Sequence, residues 1–198
     1  EDSTFYKVMF KDILRKREAQ GVDFWWLDWQ QHLQSKNVKG LGETFWHNHV
    51  FYNDMRVNRP DRRPVIFHRW GGLGSHRYPL GFSGDSFTTF GTLAFQPCFT
   101  ATASNVCFGW GHDLGGHQQF LGNDPELYLR WIQYGVFSPL FRTHATSSPD
   151  IERRIWKYSN FTQLRDAVNL RYRLMPYIYN AAREAYDTGI AICRPLYY

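Results

Sequence analysis

The stretch Gly21-Val-Asp-Phe-Trp-Trp-Leu-Asp-Trp-Gln-Gln31 is a short apolar run that begins at a glycine and ends on one carboxylate, Asp28. A run this short and this rich in Val, Phe, Trp and Leu predicts a strand over residues 22–28, buried on both faces as in a parallel sheet. Burying a carboxylate without partners is costly, so Asp28 is either a paired structural group or a functional one.

Further strand-like runs alternate with amphipathic stretches along the rest of the 198 residues. We expect helices at about 4–19, 41–55, 87–97, 124–135 and 159–187, the last one bent at Pro176, and strand-like segments at about 65–69, 105–113 and 136–144. The first helix would bury Phe5, Met9 and Ile13, with Ser3 or Thr4 as its cap and Gly21 as its terminator. This alternation predicts an α/β fold with a parallel sheet.

Composition favours a sugar-binding protein over a nucleic-acid-binding one. Aromatic residues make up 18% of the chain, and aromatic faces pack on the C–H faces of sugars while polar tips bind the hydroxyls. The formal net charge of +5 is dispersed and mixed with Asp and Glu, which is typical of a solvated surface. We therefore predict no nucleic-acid partner.

Neither a disulfide framework nor a membrane span is predicted. The three cysteines, Cys98, Cys107 and Cys193, are odd in number and lack CxxC spacing. No apolar run approaches the roughly 18 residues of a membrane span. The sequence opens without Met or a signal peptide, so we expect a segment of a longer polypeptide whose compartment is left open.

Charged side chains stand where the predicted strands end. They are Asp28, Arg69, Asp85, Asp113, Arg142 and His144. In a (β/α) barrel these positions converge on one rim. Two carboxylates with an Arg, a His and aromatic neighbours are the groups that glycoside hydrolysis requires.

The same segments match a known set of motifs in order. Asp23-Phe-Trp-Trp-Leu-Asp28-Trp-Gln-Gln31 is similar to D-G-x-W-x-D-M-N-E. Three further segments, Phe67-His-Arg69-Trp, Gly74-Ser-His-Arg-Tyr78 and Phe82-Ser-Gly-Asp85-Ser86, are similar to L-S-R-S…G-S-G-R-Y…W-x-G-D-N. Gly111-His-Asp113-Leu-Gly-Gly-His117 is similar to G-A-D-I-x-G-F, and Phe141-Arg142-Thr-His144 to F-x-R-N-H. Over essentially its whole length the sequence resembles glycoside hydrolase family 31, the retaining α-glucosidases and α-xylosidases.

The resemblance implies a fold and a domain position. It implies a (β/α)8 TIM barrel of which residues 1–198 are the C-terminal part, approximately strands 4 to 8 with their helices. An N-terminal β-sandwich, the first barrel strands and C-terminal β-domains would lie outside the chain. Partial barrels leave strand edges unpaired, so we expect the segment to be inactive without the rest of its polypeptide.

The resemblance also implies roles for individual residues. Asp28 would be the nucleophile and Asp85 the general acid/base, roughly 5–5.5 Å apart as in retaining enzymes. The substrate-binding residues would be Trp26, Trp29, Arg69, Phe82, Asp113, His117, Arg142 and His144. We expect an α-linked carbohydrate as the substrate, and neither a cofactor nor a metal.

Departures from the family pattern leave the sugar open. Trp29 stands for Met, Gln30-Gln31 for Asn-Glu, Phe82 for Trp, Ser86 for Asn and His117 for Phe. The alternatives are α-glucosidase, α-xylosidase, α-galactosidase or α-glucan lyase specificity, a non-catalytic carbohydrate-binding relative, and a scaffold subunit. His112 and His117 flank Asp113 and could suggest a metal, but zinc sites need three or four closely spaced ligands, which favours a substrate rim.

Overall fold

The computed structural model describes residues 2–28, 34–69, 74–103, 109–118 and 122–198. The chain divides into two compact units, Glu1–Gly81 and Phe82–Tyr198. The helices are α1 (Ser3–Val8), α2 (Arg15–Ala19), α3 (Glu43–Asn58), α4 (Phe90–Ala103), α5 (Pro125–Gly135), α6 (Phe161–Arg173) and α7 (Met175–Thr188). The strands are β1 (Trp25–Leu27), β2 (Ile66–His68), β3 (Leu80–Phe82) and β4 (Gly109–Gly111), in the order β1-β2-β3-β4 of one sheet. The predicted α/β class is confirmed.

The strands of the first unit pair in parallel. Trp26 of β1 lies opposite Phe67 of β2, and Phe67 lies opposite Leu80 of β3. Parallel strands present their C-terminal ends at the same edge of a sheet. Asp28 directly follows β1 and Arg69 directly follows β2, so both side chains leave the sheet at that edge.

The first helix is continuous but contains a π-helical stretch, Met9–Leu14, between α1 and α2. Its cap is Asp2, whose Oδ1 accepts hydrogen bonds from the amides of Thr4 at 2.6 Å and Phe5 at 3.0 Å. The prediction of Ser3 or Thr4 as the cap is therefore wrong. Gly21 is the expected terminator, with φ of 110°, and its amide donates to the carbonyl of Glu18.

The buried face of this helix lies one residue away from the predicted face. Phe5 and Ile13 are exposed, and the buried side chains are Tyr6, Phe10 and Leu14. Packing against α3 selects this face, since the ring of Phe10 meets that of Phe51 edge to face with centroids 5.0 Å apart.

The first strand is not buried on both faces. Leu27 is buried, but Trp26 is 39% exposed and Phe24 is 43% exposed. In the described part of the chain β1 pairs only with β2, so its other edge and the side chains along it are open to solvent.

The second unit has its core around α5. Trp131, Ile132 and Val136 are almost completely buried and pack with Leu114 and Leu164. The predicted start of α5 is confirmed, because Asp124 Oδ1 accepts hydrogen bonds from the two amides of the first turn and Pro125 is the first helical residue.

Two predictions for this unit are wrong. In the part of the chain that the structure describes, residues 136–144 form no strand, and their β-bridges are two isolated ones, through Leu140 and Thr143. The amides of residues 136–138 bond back onto α5, and Pro139 has no amide to donate to a sheet. Residues 159–187 form two helices instead of one bent helix, because Pro176 in the first turn of α7 ends helical continuity at Arg173.

Within the described residues, none of the helices combines the length and apolarity needed to cross a lipid bilayer.

Candidate active site

In the first unit, Asp28 and Arg69 form an ion pair. Nη1 of Arg69 donates to Oδ1 of Asp28 at 2.6 Å, and the two side chains are 8% and 18% exposed for Arg69 and Asp28 respectively. Their positions follow from adjacent parallel strands, β1 and β2, which end at the same level of the sheet. The guanidinium holds Oδ1 of Asp28, while the carboxylate stays partly exposed and accessible to a ligand.

The surroundings of this pair combine a fixed strand with an exposed aromatic face. His68 precedes Arg69, is fully buried, and donates through Nε2 to the carbonyl of Tyr78 at 3.0 Å. Burial lowers the pKa of His68, which keeps the ring neutral. Trp26, two residues before Asp28 on the same side of the strand, has its ring centroid 6.1 Å from that of Phe67. The predicted residues Trp26, Arg69 and Asp28 thus lie at one strand edge.

In the second unit, a buried carboxylate organises the other predicted residues. Asp113, fully buried, follows β4. Its Oδ1 accepts from Nη1 of Arg142 at 2.8 Å, and its Oδ2 accepts from Nδ1 of His117 at 2.9 Å. The charge of Asp113 is therefore balanced by a guanidinium and bonded on both oxygens, as a buried carboxylate requires.

The remaining predicted residues of this unit lie around that cluster. The guanidinium carbon of Arg142 lies 5.5 Å from the ring centroid of Phe82. The rings of His117 and His144 are 5.3 Å apart at 36°. Nε2 of His117 lies 3.7 Å from Oδ1 of Asp85. The structure thus brings together Phe82, Asp85, Asp113, His117, Arg142 and His144.

Three of these residues, Asp113, His117 and His144, offer donor atoms that lie within 4.8 Å of one another. This set has the chemistry of a zinc site, but Arg142 already donates to the same carboxylate. A cation placed there would face the guanidinium and would have to displace the imidazole bond to Asp113. The arrangement suits an uncharged polar ligand, such as a sugar hydroxyl, better than a metal.

Arg153, which sequence reasoning missed, supports the cluster. Nη2 of Arg153 donates to the carbonyls of Gly115 and Gly116, and Nε donates to that of His144. Burial lowers the pKa of Arg153, and a Cβ on Gly115 would lie 2.5 Å from its Nε. Nothing in the sequence around Arg153 indicates this role, because the contact joins segments far apart in the chain.

His112, which the sequence indicated only as a possible metal ligand, is completely buried beside Asp113. Its Nδ1 contacts Oγ of Ser83 at 2.9 Å, and its Nε2 contacts the hydroxyls of Thr100 and Tyr134 at 3.0 Å each. Burial lowers the pKa of His112 to about 4. The sequence signal that could have indicated this role is that His112 replaces the Ala of the matched motif G-A-D-I-x-G-F.

The prediction for Trp29 as a substrate-binding residue lies outside the described residues, as do Gln30 and Gln31.

Comparison with known proteins agrees with this geometry. A family model described as the glycosyl hydrolases family 31 TIM-barrel domain matches residues 2–181. The chain is 34% identical over 175 residues to a probable glucan 1,3-alpha-glucosidase of Arabidopsis thaliana, covering 84% of this chain and 18% of the relative. It is 29% identical over 202 residues to alpha-glucosidase 2 of Bacillus thermoamyloliquefaciens, covering 100% of this chain and 24% of the relative.

Solved structures give the same result. The Flavobacterium johnsoniae GH31 dextranase FjDex31A, complexed with glucose, matches with a TM-score of 0.81 and 26% identity over 98% of this chain and 27% of the dextranase. A GH31 alpha-xylosidase from a soil metagenome, complexed with xylose, matches with a TM-score of 0.80 and 26% identity, covering 96% of this chain and 34% of the xylosidase.

The chain spans about a fifth of the length of the curated relatives that it matches. Its strands and helices correspond to part of the family's TIM barrel. The family model covers well over half of the sequence, in agreement with the motifs at Asp28, Asp85 and Asp113. The chain belongs to glycoside hydrolase family 31.

Proposed function

We propose that this chain supplies the catalytic pair and the substrate-binding residues of a retaining α-glycosidase that hydrolyses α-glucosides. The observation that carries the proposal is the 2.6 Å ion pair between Asp28 and Arg69 at the ends of neighbouring parallel strands. Active sites of (β/α) barrels lie at this end of the strands. A carboxylate that is oriented by a guanidinium and accessible to a ligand is suited to attack an anomeric carbon.

In the proposed first step, an oxygen of Asp28 bonds to the anomeric carbon while the bond from that carbon to the leaving oxygen breaks. Asp85 transfers its proton to the leaving oxygen. In the second step, Asp85 takes a proton from water as the water oxygen attacks the anomeric carbon and Asp28 departs. Two inversions give net retention, and this mechanism requires the two carboxyl groups to stand roughly 5–5.5 Å apart.

The cluster around Asp113 would hold the sugar. Its buried carboxylate is fixed by Arg142 and His117, and Phe82 lies beneath the guanidinium. Charged groups whose geometry is set before the ligand arrives discriminate sugars by the hydroxyls they bond. The exposed ring of Trp26 would pack on a C–H face of the sugar, whereas the buried ring of Phe82 would support the guanidinium of Arg142. Trp29, next to Asp28 in sequence, belongs to the same proposed set.

An α-glucoside is the proposed sugar because the curated relatives in Arabidopsis thaliana and Bacillus thermoamyloliquefaciens are named as alpha-glucosidases. The chain would supply the later strands of the barrel, with the remaining strands and flanking β-domains provided by the rest of the polypeptide. The test is hydrolysis of 4-nitrophenyl α-D-glucoside, α-D-xyloside and α-D-galactoside by the full-length gene product. The α-glucoside should give the highest kcat/KM, and the first sugar released should be the α-anomer by NMR.

Two variants assign the roles. Asp28→Asn should lose activity on all α-glycosides. Asp85→Ala should lower kcat/KM on maltose about 10²- to 10⁴-fold, but far less on α-glucosyl fluoride, whose leaving group needs little protonation. A full-length protein that binds α-glucosides and hydrolyses none of them would identify a non-catalytic relative, and an unsaturated product would identify a lyase.

A further inference from the structure

The imidazole of His117 lies between two carboxyl groups. Its Nδ1 is 2.9 Å from Oδ2 of Asp113, and its Nε2 is 3.7 Å from Oδ1 of Asp85. The first contact is a hydrogen bond. The second is longer than one, but contacts of catalytic groups are commonly long without substrate and tighten when it binds. One side chain therefore connects the buried sugar-binding carboxylate to the proposed acid/base.

Backbone hydrogen bonds fix the distance between His117 and Asp85. The amides of His117 and Gln118 donate to the carbonyl of Ser86 at 2.8 and 3.1 Å, and the amide of Thr88 donates to the carbonyl of Gln118 at 2.8 Å. The two segments therefore run side by side, starting one residue after Asp85.

Gly116 is the residue that permits this close approach. It has φ of 81°, and a Cβ there would lie 2.7 Å from Cα of Thr88 and 2.8 Å from its amide nitrogen. Because the obstacle is backbone, a side chain at position 116 could be accommodated only if the segments separated. The paired backbone segments therefore hold His117 and Asp85 opposite each other.

The orientation of the ring is fixed from its other side. Asp113 cannot turn away, because Arg142 holds its second oxygen at 2.8 Å and the residue is fully buried. Among the described residues, the charged or titratable groups around His117 are Asp113, Asp85, Arg142, and His144, whose ring packs at 5.3 Å. Arg153 lies behind them, bonded to the carbonyl of His144. With Nδ1 directed at Asp113, Nε2 is the atom that faces Asp85.

We propose that His117 is a positioning residue for Asp85, holding Oδ1 of its carboxyl group so that Oδ2 is presented to the leaving oxygen. The proposal rests on the proposed function of Asp85. With Nδ1 donating to Asp113, an imidazolium donates through Nε2 to Oδ1 of Asp85, which can accept this bond whether or not Oδ2 carries the acid proton. His117 can therefore hold Asp85 both as the acid of the first step and as the base of the second. The Phe of the matched family motif offers neither interaction.

Three substitutions separate this role from sugar binding. His117→Phe fills the ring volume but removes both contacts. His117→Asn places an amide near Nδ1 and keeps a donor for Asp113, but does not reach Asp85. His117→Gln places its amide near Nε2. His49→Phe, at an exposed position on α3, is the matched control.

In the full-length gene product, kcat/KM is measured on maltose, which needs the acid, and on α-glucosyl fluoride, which hardly does. We expect His117→Phe and His117→Asn to lose about tenfold on maltose and less than about twofold on the fluoride, as for one lost hydrogen bond at the reacting group. His117→Gln should recover most of the loss, and His49→Phe should match the wild type. Combined with Asp85→Ala, His117→Phe should add no further loss on maltose.

Three results would overturn the proposal. They are equal losses of kcat/KM on maltose and the fluoride in His117→Phe, full activity of His117→Asn on maltose, and additive losses when His117→Phe is combined with Asp85→Ala. If the wild type hydrolyses both substrates and Asp85→Ala loses the same factor of kcat/KM on maltose and on α-glucosyl fluoride, the assigned role of Asp85 is overturned instead. Absence of wild-type hydrolysis would overturn the proposed function itself. The three failures are therefore distinguishable.

Discussion

Protonation of His112 should destabilise the second unit as the pH falls. The imidazole is fully buried and its contacts are hydroxyl groups, of Ser83, Thr100 and Tyr134. Hydroxyls can accept from an imidazolium but supply no negative charge to offset its desolvation. Burial accordingly lowers the pKa of His112 from 6.5 to about 4.

The magnitude follows from linkage. Because the folded-state pKa lies below the unfolded value, the unfolded chain binds more protons between pH 4 and 6.5. The contribution of neutral His112 to the free energy of unfolding is fully present above about pH 6.5, and it declines as the pH falls through this window. A pKa difference of about 2.5 corresponds to about 3 kcal/mol by pH 4, a large part of a typical domain stability of roughly 5–15 kcal/mol.

The assay compares urea unfolding of the full-length gene product with that of His112→Ala at pH 7, 6, 5 and 4. Carboxylates titrate equally in both proteins, so the difference in unfolding free energy isolates His112. Wild type should be the more stable protein at pH 7, because the variant leaves a cavity, and its advantage should shrink by about 3 kcal/mol at pH 4. A pH-independent difference would refute the reasoning.

Three further substitutions test the packing of the second unit by urea unfolding. Arg171→Met should cost roughly 3 kcal/mol or more, because Arg171 donates to the carbonyls of residues 136, 138 and 139; an unchanged midpoint would count against this. Asp124→Ala should cost about 1 kcal/mol through loss of the α5 cap, with Asp124→Asn close to wild type. Gly135→Ala should cost about 1–3 kcal/mol, since its Cβ would overlap the buried side chain of Leu114, and a neutral result would mean that Leu114 can move.

The sequence predicted those elements whose signals are local. Asp124-Pro125 determines the start of α5 through its own first turn, and Gly21 and Gly189 end helices where positive φ is needed. The phase of the first helix could not be read in this way. Two adjacent stripes are both apolar at four-residue spacing, Phe5-Met9-Ile13 and Tyr6-Phe10-Leu14, and contact with α3 selects between them.

Prediction failed where tertiary contacts override local pattern. No strand was predicted over Leu80–Phe82, where Pro79 and Gly81 disfavour one, but this segment pairs with β2. Residues 136–144 have strand composition, but Arg171 of α6 occupies carbonyls that a sheet would need. These competing contacts come from distant parts of the chain.

The distinction between local signals and contacts from distant parts of the chain applies to the site as well. The carboxylates and cations at strand ends could be located from the sequence, because parallel strands present those ends together. The ion pair of Asp28 with Arg69 and the bonds of Asp113 with Arg142 and His117 are consistent with those positions. The role of Arg153 could not be found, since it depends on the carbonyls of Gly115 and Gly116 and side-chain identity says nothing of backbone partners.

The central claim, that Asp28 is the nucleophile, is tested most directly by trapping the covalent intermediate. Full-length gene product is incubated with 5-fluoro-α-D-glucosyl fluoride, digested and analysed by mass spectrometry. One sugar per active site is expected, attached to the peptide that contains Asp28 and absent in Asp28→Asn. A label on Asp85 or Asp113 instead, in a protein that hydrolyses α-glucosides, would contradict it.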